Sequence, residues 1–77
     1  MYFIGEAVMA RSGLTDQQSY IRKKLVRLRD AIEEDGGEVT ATGIAGRVAS
    51  DVGHPEWLDD PKHWIWGLAI GVVYDPR

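Results

Sequence analysis

Asp60-Pro61-Lys62-His63-Trp64-Ile65-Trp66-Gly67-Leu68-Ala69-Ile70-Gly71-Val72-Val73 is the stretch on which the fold turns. It opens with helix-start chemistry: Asp60 suits an N-cap and Pro61 suits the first helical position. After His63 no charged side chain follows until Asp75. A surface helix ordinarily keeps a polar side, and this one has none. At about 100° per residue, Trp64, Leu68 and Val72 share a face with Ile65 and Ala69 beside it. Trp66, Ile70 and Val73 point largely the other way. Three readings stay open. The helix is clasped between its own core and a partner; or it is a central helix wrapped by residues 2–11 and the long helix upstream; or a strand forms near Leu68–Tyr74. Trp64 and Trp66 stand two positions apart, so one helical face cannot bury both. Tryptophan is enriched among interface hot spots. Trp57, Trp64, Trp66, Ile70 and Val73 are therefore the candidate partner-binding residues.

Upstream lies the clearest helical signal. Thr15 followed by Gln18 is a capping-box pattern, and Asp16 in the first turn suits the helix dipole. Ile21, Leu25, Leu28 and Ile32 recur at four, three and four residues, which predicts an amphipathic helix over 15–35. Gly36-Gly37 supplies its stop. Thr40 or Thr42 then caps a second helix with Ile44, Val48 and Val52 on one face. Gly43, Ala45, Gly46 and Ala49 thin that helix, and such small residues point to another backbone packing close. Gly53 ends it, and His54-Pro55 reinforces the break. Residues 54–60 form an acidic, aromatic-bearing link with room for a helical turn. Residues 2–11 fit a strand or a helix equally well.

Composition bounds what these elements can build. Seventy-seven residues with 44% hydrophobic and 27% charged side chains describe one folded domain spanning 1–77. A chain this small buries roughly 60% of the surface its unfolded form exposes, so the core is thin. No cysteine is present to staple it. The expected fold is mainly α, a small three-helix domain, with two or three short strands left open. No apolar run approaches the length of a membrane span, and the N-terminus lacks the basic start of a signal peptide. A cytoplasmic protein without a membrane partner is the expectation.

The net charge of −3 is unevenly placed. Residues 1–37 balance, and residues 38–77 carry the whole excess. The only basic cluster is Arg22, Lys23, Lys24, Arg27 and Arg29, spread round the polar side of the long helix. His54, Glu56, Asp59, Asp60 and His63 gather in ten residues, but their spacing matches no zinc or hydrolase pattern. A solvated loop with helix caps accounts for them. The serines sit in no nucleophile-elbow context, and Gly43-Ile44-Ala45-Gly46 lacks the ending of a phosphate loop. No catalytic residue, metal site or cofactor is expected, and the chain is read as a non-enzyme.

The order of a long helix, Val39-Thr40, a helix over 41–52, a turn at Gly53 and a further helix resembles a winged helix-turn-helix domain. Thr40-Ala41-Thr42-Gly43-Ile44-Ala45-Gly46-Arg47-Val48 is similar to the second helix of such domains, and Val72-Val73-Tyr74 would begin the wing. The resemblance implies a winged-helix-like fold and a DNA-binding transcriptional regulator, with Lys23, Lys24, Arg27, Arg47 and Lys62 as nucleic-acid-binding candidates. The residues themselves favour a different first reading: a small acidic regulatory protein that contacts another protein, or a second copy of itself as an oligomer, through its apolar C-terminal helix.

Overall fold

A computed structural model of the chain describes residues 14–74. Among them are three α-helices: α1 (Asp16–Glu34), α2 (Ala41–Asp51) and α3 (Trp64–Val73). A single 3-10 segment, Pro55–Asp59, links the last two. No strand occurs among the described residues, so the possible wing strands are not present there. Val72 and Val73 close α3, and Tyr74 is its C-cap. The strand reading of Leu68–Tyr74 is thereby overturned: a run bonded within itself leaves no backbone groups for a ladder. The alternatives for residues 2–11 lie outside the described residues.

The first two helices begin and end as their sequences dictate. Thr15 accepts from the Gln18 amide at 3.1 Å, and the Gln18 side chain accepts from the Thr15 amide at 3.0 Å, a complete capping box. Thr40, rather than Thr42, caps α2, its hydroxyl accepting from the Gly43 amide. Both helices stop in a Schellman arrangement. In α1 the Gly36 amide donates to Glu33 and the Gly37 amide to Ile32. In α2 the Gly53 amide donates to Ser50 and the His54 amide to Ala49. Gly36 and Gly53 hold φ of 79° and 82°, values that favour glycine.

The third helix departs from the sequence reading at its start. Asp60 is not its N-cap and Pro61 is not its first residue; helix begins at Trp64, capped by His63. Asp60-Pro61-Lys62-His63 instead forms a turn. The Asp60 carboxylate accepts from the Lys62 amide at 2.9 Å and its carbonyl from the His63 amide at 3.0 Å. Aspartate followed by proline starts a turn as readily as a helix. Here the Trp66 indole decides between them by donating Nε1–H to the same Asp60 carbonyl at 3.0 Å.

All three helices meet in one core of Ile21 and Leu25 from α1, Ile44, Ala45, Val48 and Ala49 from α2, and Ile65, Ala69 and Val72 from α3. Two expectations are corrected. The shared face of Trp64, Leu68 and Val72, expected from the sequence to pack on the long helix, is not the inward one: Ile65, Ala69 and Val72 face the core, and Trp64 and Leu68 are only half-buried. Ala69 replaces a bulky side chain at the centre, which lets α3 lie close to its neighbours. In α2 the close approach falls on Ala45 and Ala49, both fully buried, not on the glycines. A Cβ at Gly46 would meet nothing, and one at Gly43 would meet only the Thr40 cap hydroxyl.

Arg29 is the unexpected member of the interior. It sits four residues after Leu25 in the buried line of α1 and is 5% exposed. Its Nη1–H donates to the Val72 carbonyl at 2.9 Å, and its Nε–H to the Asp30 carboxylate at 3.0 Å. Val72 lies in the last turn of α3, where helical carbonyls have no partner of their own, and a cation there also suits the negative end of the helix dipole. We expect Arg29→Met to cost about 1–3 kcal/mol, the usual penalty for a buried acceptor left unsatisfied. Arg29→Lys should restore little of it, because an ammonium lacks the fork that bonds in two directions. Urea unfolding of the three proteins checks both expectations.

Candidate functional site

The entry to α3 is an aromatic cluster. Pro55 starts the 3-10 segment, and this turn brings Trp57 back against the residues on either side of it. The Trp57 indole stacks on the His54 imidazole with centroids 4.5 Å apart and planes 3° from parallel. It also stacks on His63 at 5.0 Å. Trp64 tilts against both Trp57 and His63, at 4.9 and 4.7 Å. Four rings thus form one patch at the N-terminal end of α3, all partly accessible. Stacked and tilted contacts of this kind are worth about 0.5–1.5 kcal/mol each beyond buried area.

Polar groups of His63, His54 and Glu56 around the rings have local partners. His63 Nδ1 accepts from the Ile65 amide at 3.2 Å, which makes the imidazole a helix cap. An acceptor Nδ1 carries no proton, so the neutral ring holds its hydrogen on Nε2. His54 Nδ1 lies 2.8 Å from a Glu56 carboxylate oxygen. That hydrogen bond, with the backbone amide of Glu56, holds the Glu56 carboxyl below its ordinary range, against a small opposing effect of burial. Among the described residues no group of three or more His, Asp or Glu side chains could hold a metal ion. Of the five residues His54, Glu56, Asp59, Asp60 and His63, the first two form a hydrogen-bonded pair, Asp59 ends the 3-10 segment, Asp60 holds the turn and His63 caps α3.

The opposite side of α3 carries no charged side chain. Ile70 is 50% and Tyr74 77% exposed. Gly67 and Gly71 lie on the same outward side, also exposed, and a Cβ on either would meet nothing within 4 Å. Of the five residues singled out for partner contact, Trp57 and Trp64 join the ring patch, Trp66 is half-buried on the Asp60 turn, and Val73 is half-buried against the core. Ile70 is the one that is exposed.

The nucleic-acid candidates divide differently. Lys23, Lys24 and Arg27 line one shallow depression on α1 together with Tyr20. Arg47 lies on α2, its Nε 3.4 Å from Asp51. Lys62 stands on the exposed turn before α3. Sequence reasoning placed Arg29 with the surface cations; the line Ile21, Leu25, Arg29, at four-residue intervals, was the signal for its burial. It also left Tyr20 unmarked, although the tyrosine shares a helical face with the three cations.

Comparison with protein-family models, with curated proteins and with solved structures gives no match for this chain. No described helix is long and apolar enough to cross a membrane.

Two measurements probe the cluster. His63→Ala removes the cap, worth about 1 kcal/mol, and two ring contacts worth about 0.5–1.5 kcal/mol each, so it should cost about 2–4 kcal/mol. His63→Asp should recover about 1 kcal/mol, that of the cap alone, since aspartate is a preferred N-cap without a ring; chemical unfolding at neutral pH reads both. The Glu56 carboxyl, held low in the folded state, contributes stability that is present above the unfolded glutamate value and lost as pH falls through the folded one. Unfolding midpoints should therefore drop in acid, and Glu56→Gln should flatten that part of the profile.

Proposed function

We propose that this chain is a non-enzymatic regulatory protein that works by docking an apolar helix of another protein on the outward side of α3. One observation carries the reading: a ten-residue helix without a charged side chain keeps Ile70, and Tyr74 at its C-cap, exposed while its opposite face fills the core. In a domain this thin, leaving such groups in water forgoes roughly 25 cal/mol per Å² of apolar surface that a partner would cover. Gly67 and Gly71 add a second reason. They stand one turn apart with open space above them, where a partner backbone can approach closely, and Ile70 and Tyr74 flank that path. Glycine in a helix interior costs about 1 kcal/mol relative to alanine, so two on one exposed face are a stability sacrifice with no benefit inside the fold.

Variants at Gly71 separate the fold from the contact. Gly71→Ala should raise stability by up to about 1 kcal/mol. Gly71→Leu should leave the fold intact and obstruct the partner. A photo-crosslinking residue placed at position 70, in the intact chain, should give adducts that Gly71→Leu removes and that a crosslinker at Asp51 does not give. An adduct of twice the chain mass, with light scattering to match, assigns the partner as a second copy. Absence of any adduct at position 70 rejects the reading.

A further inference from the structure

The basic face of α1 has no part in the α3 contact. Tyr20, Lys23, Lys24 and Arg27 follow the spacing i, i+3, i+4, i+7, which aligns them on one side of the helix. They line a common depression. Tyr20 is 55% exposed, Lys23 and Arg27 are exposed, and Lys24 is half-buried. The Lys24 ammonium lies 5.3 Å from the Tyr20 ring centroid, a cation–π distance that keeps positive charge beside the ring. Among the described residues none of these three cations forms an ion pair. The neighbouring carboxylate Asp30 accepts from Arg29. Within a chain of net charge −3, the described part of α1 thus carries a basic face with an aromatic ring within it. Acidic groups more than about 10 Å away are largely screened at ordinary salt, so the local sign governs what approaches.

We propose that Tyr20, Lys23, Lys24 and Arg27 form a docking surface for single-stranded nucleic acid, with the cations on phosphates and the Tyr20 ring on an unpaired base. An acidic protein surface would satisfy the cations but gives the exposed ring nothing to stack on. A duplex would satisfy them too, yet its bases are already stacked. An unpaired strand uses both features, since every base offers a π-face and the backbone supplies the charge.

Fluorescence anisotropy of the intact chain with a labelled oligothymidylate tests this. Three phosphate contacts on a single strand predict that affinity falls about twentyfold between 50 and 200 mM salt. Lys23→Gln/Lys24→Gln/Arg27→Gln should abolish most of that dependence. Tyr20→Ala should weaken binding roughly 5- to 140-fold with the salt slope unchanged. Far-UV circular dichroism checks that the variants, all on the surface, stay folded. Ile70→Glu should bind the oligonucleotide as the parent does, which separates this surface from α3. The proposal is overturned by no binding at 50 mM salt, by an unchanged slope in the triple variant, or by a Tyr20→Ala protein of parental affinity. Competition by polyglutamate as effective as by unlabelled oligonucleotide also overturns it, and assigns the face to an acidic protein; equal binding of a duplex overturns it in favour of backbone contact alone.

Discussion

Arg29 reaches from the buried line of α1 to the Val72 carbonyl, and the arrangement of the three helices hangs on that bond. A short apolar helix packed by shape alone could slide or rotate, because hydrophobic contact has no direction. A hydrogen bond from a nearly buried guanidinium to one chosen carbonyl does have direction. It sets which end of α3 lies beside the C-terminal half of α1, and therefore which face of α3 turns inward. The interaction is affordable only because Asp30, at the rim, takes the second donor and balances the charge. No buried side-chain nitrogen or oxygen among the described residues is left without a partner.

The register of α3 follows from what happens at its other end. The Asp60 turn, held by the Lys62 and His63 amides and by the Trp66 indole, delays the helix until Trp64. His63 then serves as cap and as one ring of the Trp57 stack. Between these two anchors Ile65, Ala69 and Val72 face the core, and the remaining sides are divided. Trp64 is committed to the ring patch and Trp66 to the turn. Gly67, Ile70, Gly71 and Tyr74 are left facing outward, which is why the proposed protein contact falls there and not on the tryptophans.

Much of this frame was legible in the chain. The Thr15/Gln18 capping box, the Ile21/Leu25 line and the stops at Gly36 and Gly53 are local devices, and local devices keep their meaning in any fold. The site was less legible. Asp60-Pro61 carries two local meanings, helix start and turn start, and a hydrogen bond from six residues away selects one. Gly43, Ala45, Gly46 and Ala49 read together as a backbone-packing face because small residues allow close approach; burial shows that only the two alanines perform it. Tyr20 and its cations formed a readable i, i+3, i+4, i+7 pattern, obscured by counting Arg22 and Arg29 in the same cluster.

The sequence by itself determined where α1 and α2 begin and end, because caps, stops and periodicity act over four or five residues. It also determined that α3 would be apolar on every side. Only the tertiary structure decided which side is covered, because that choice depends on Arg29 meeting Val72 across 43 residues of chain and on Ala69 being small enough to admit its neighbours. Periodicity ranks faces by apolar area, and by that measure Trp64 and Leu68 outrank Ile65 and Ala69. Packing ranks them by fit to the partner helices and by the bonds at each end, and the smaller face prevailed.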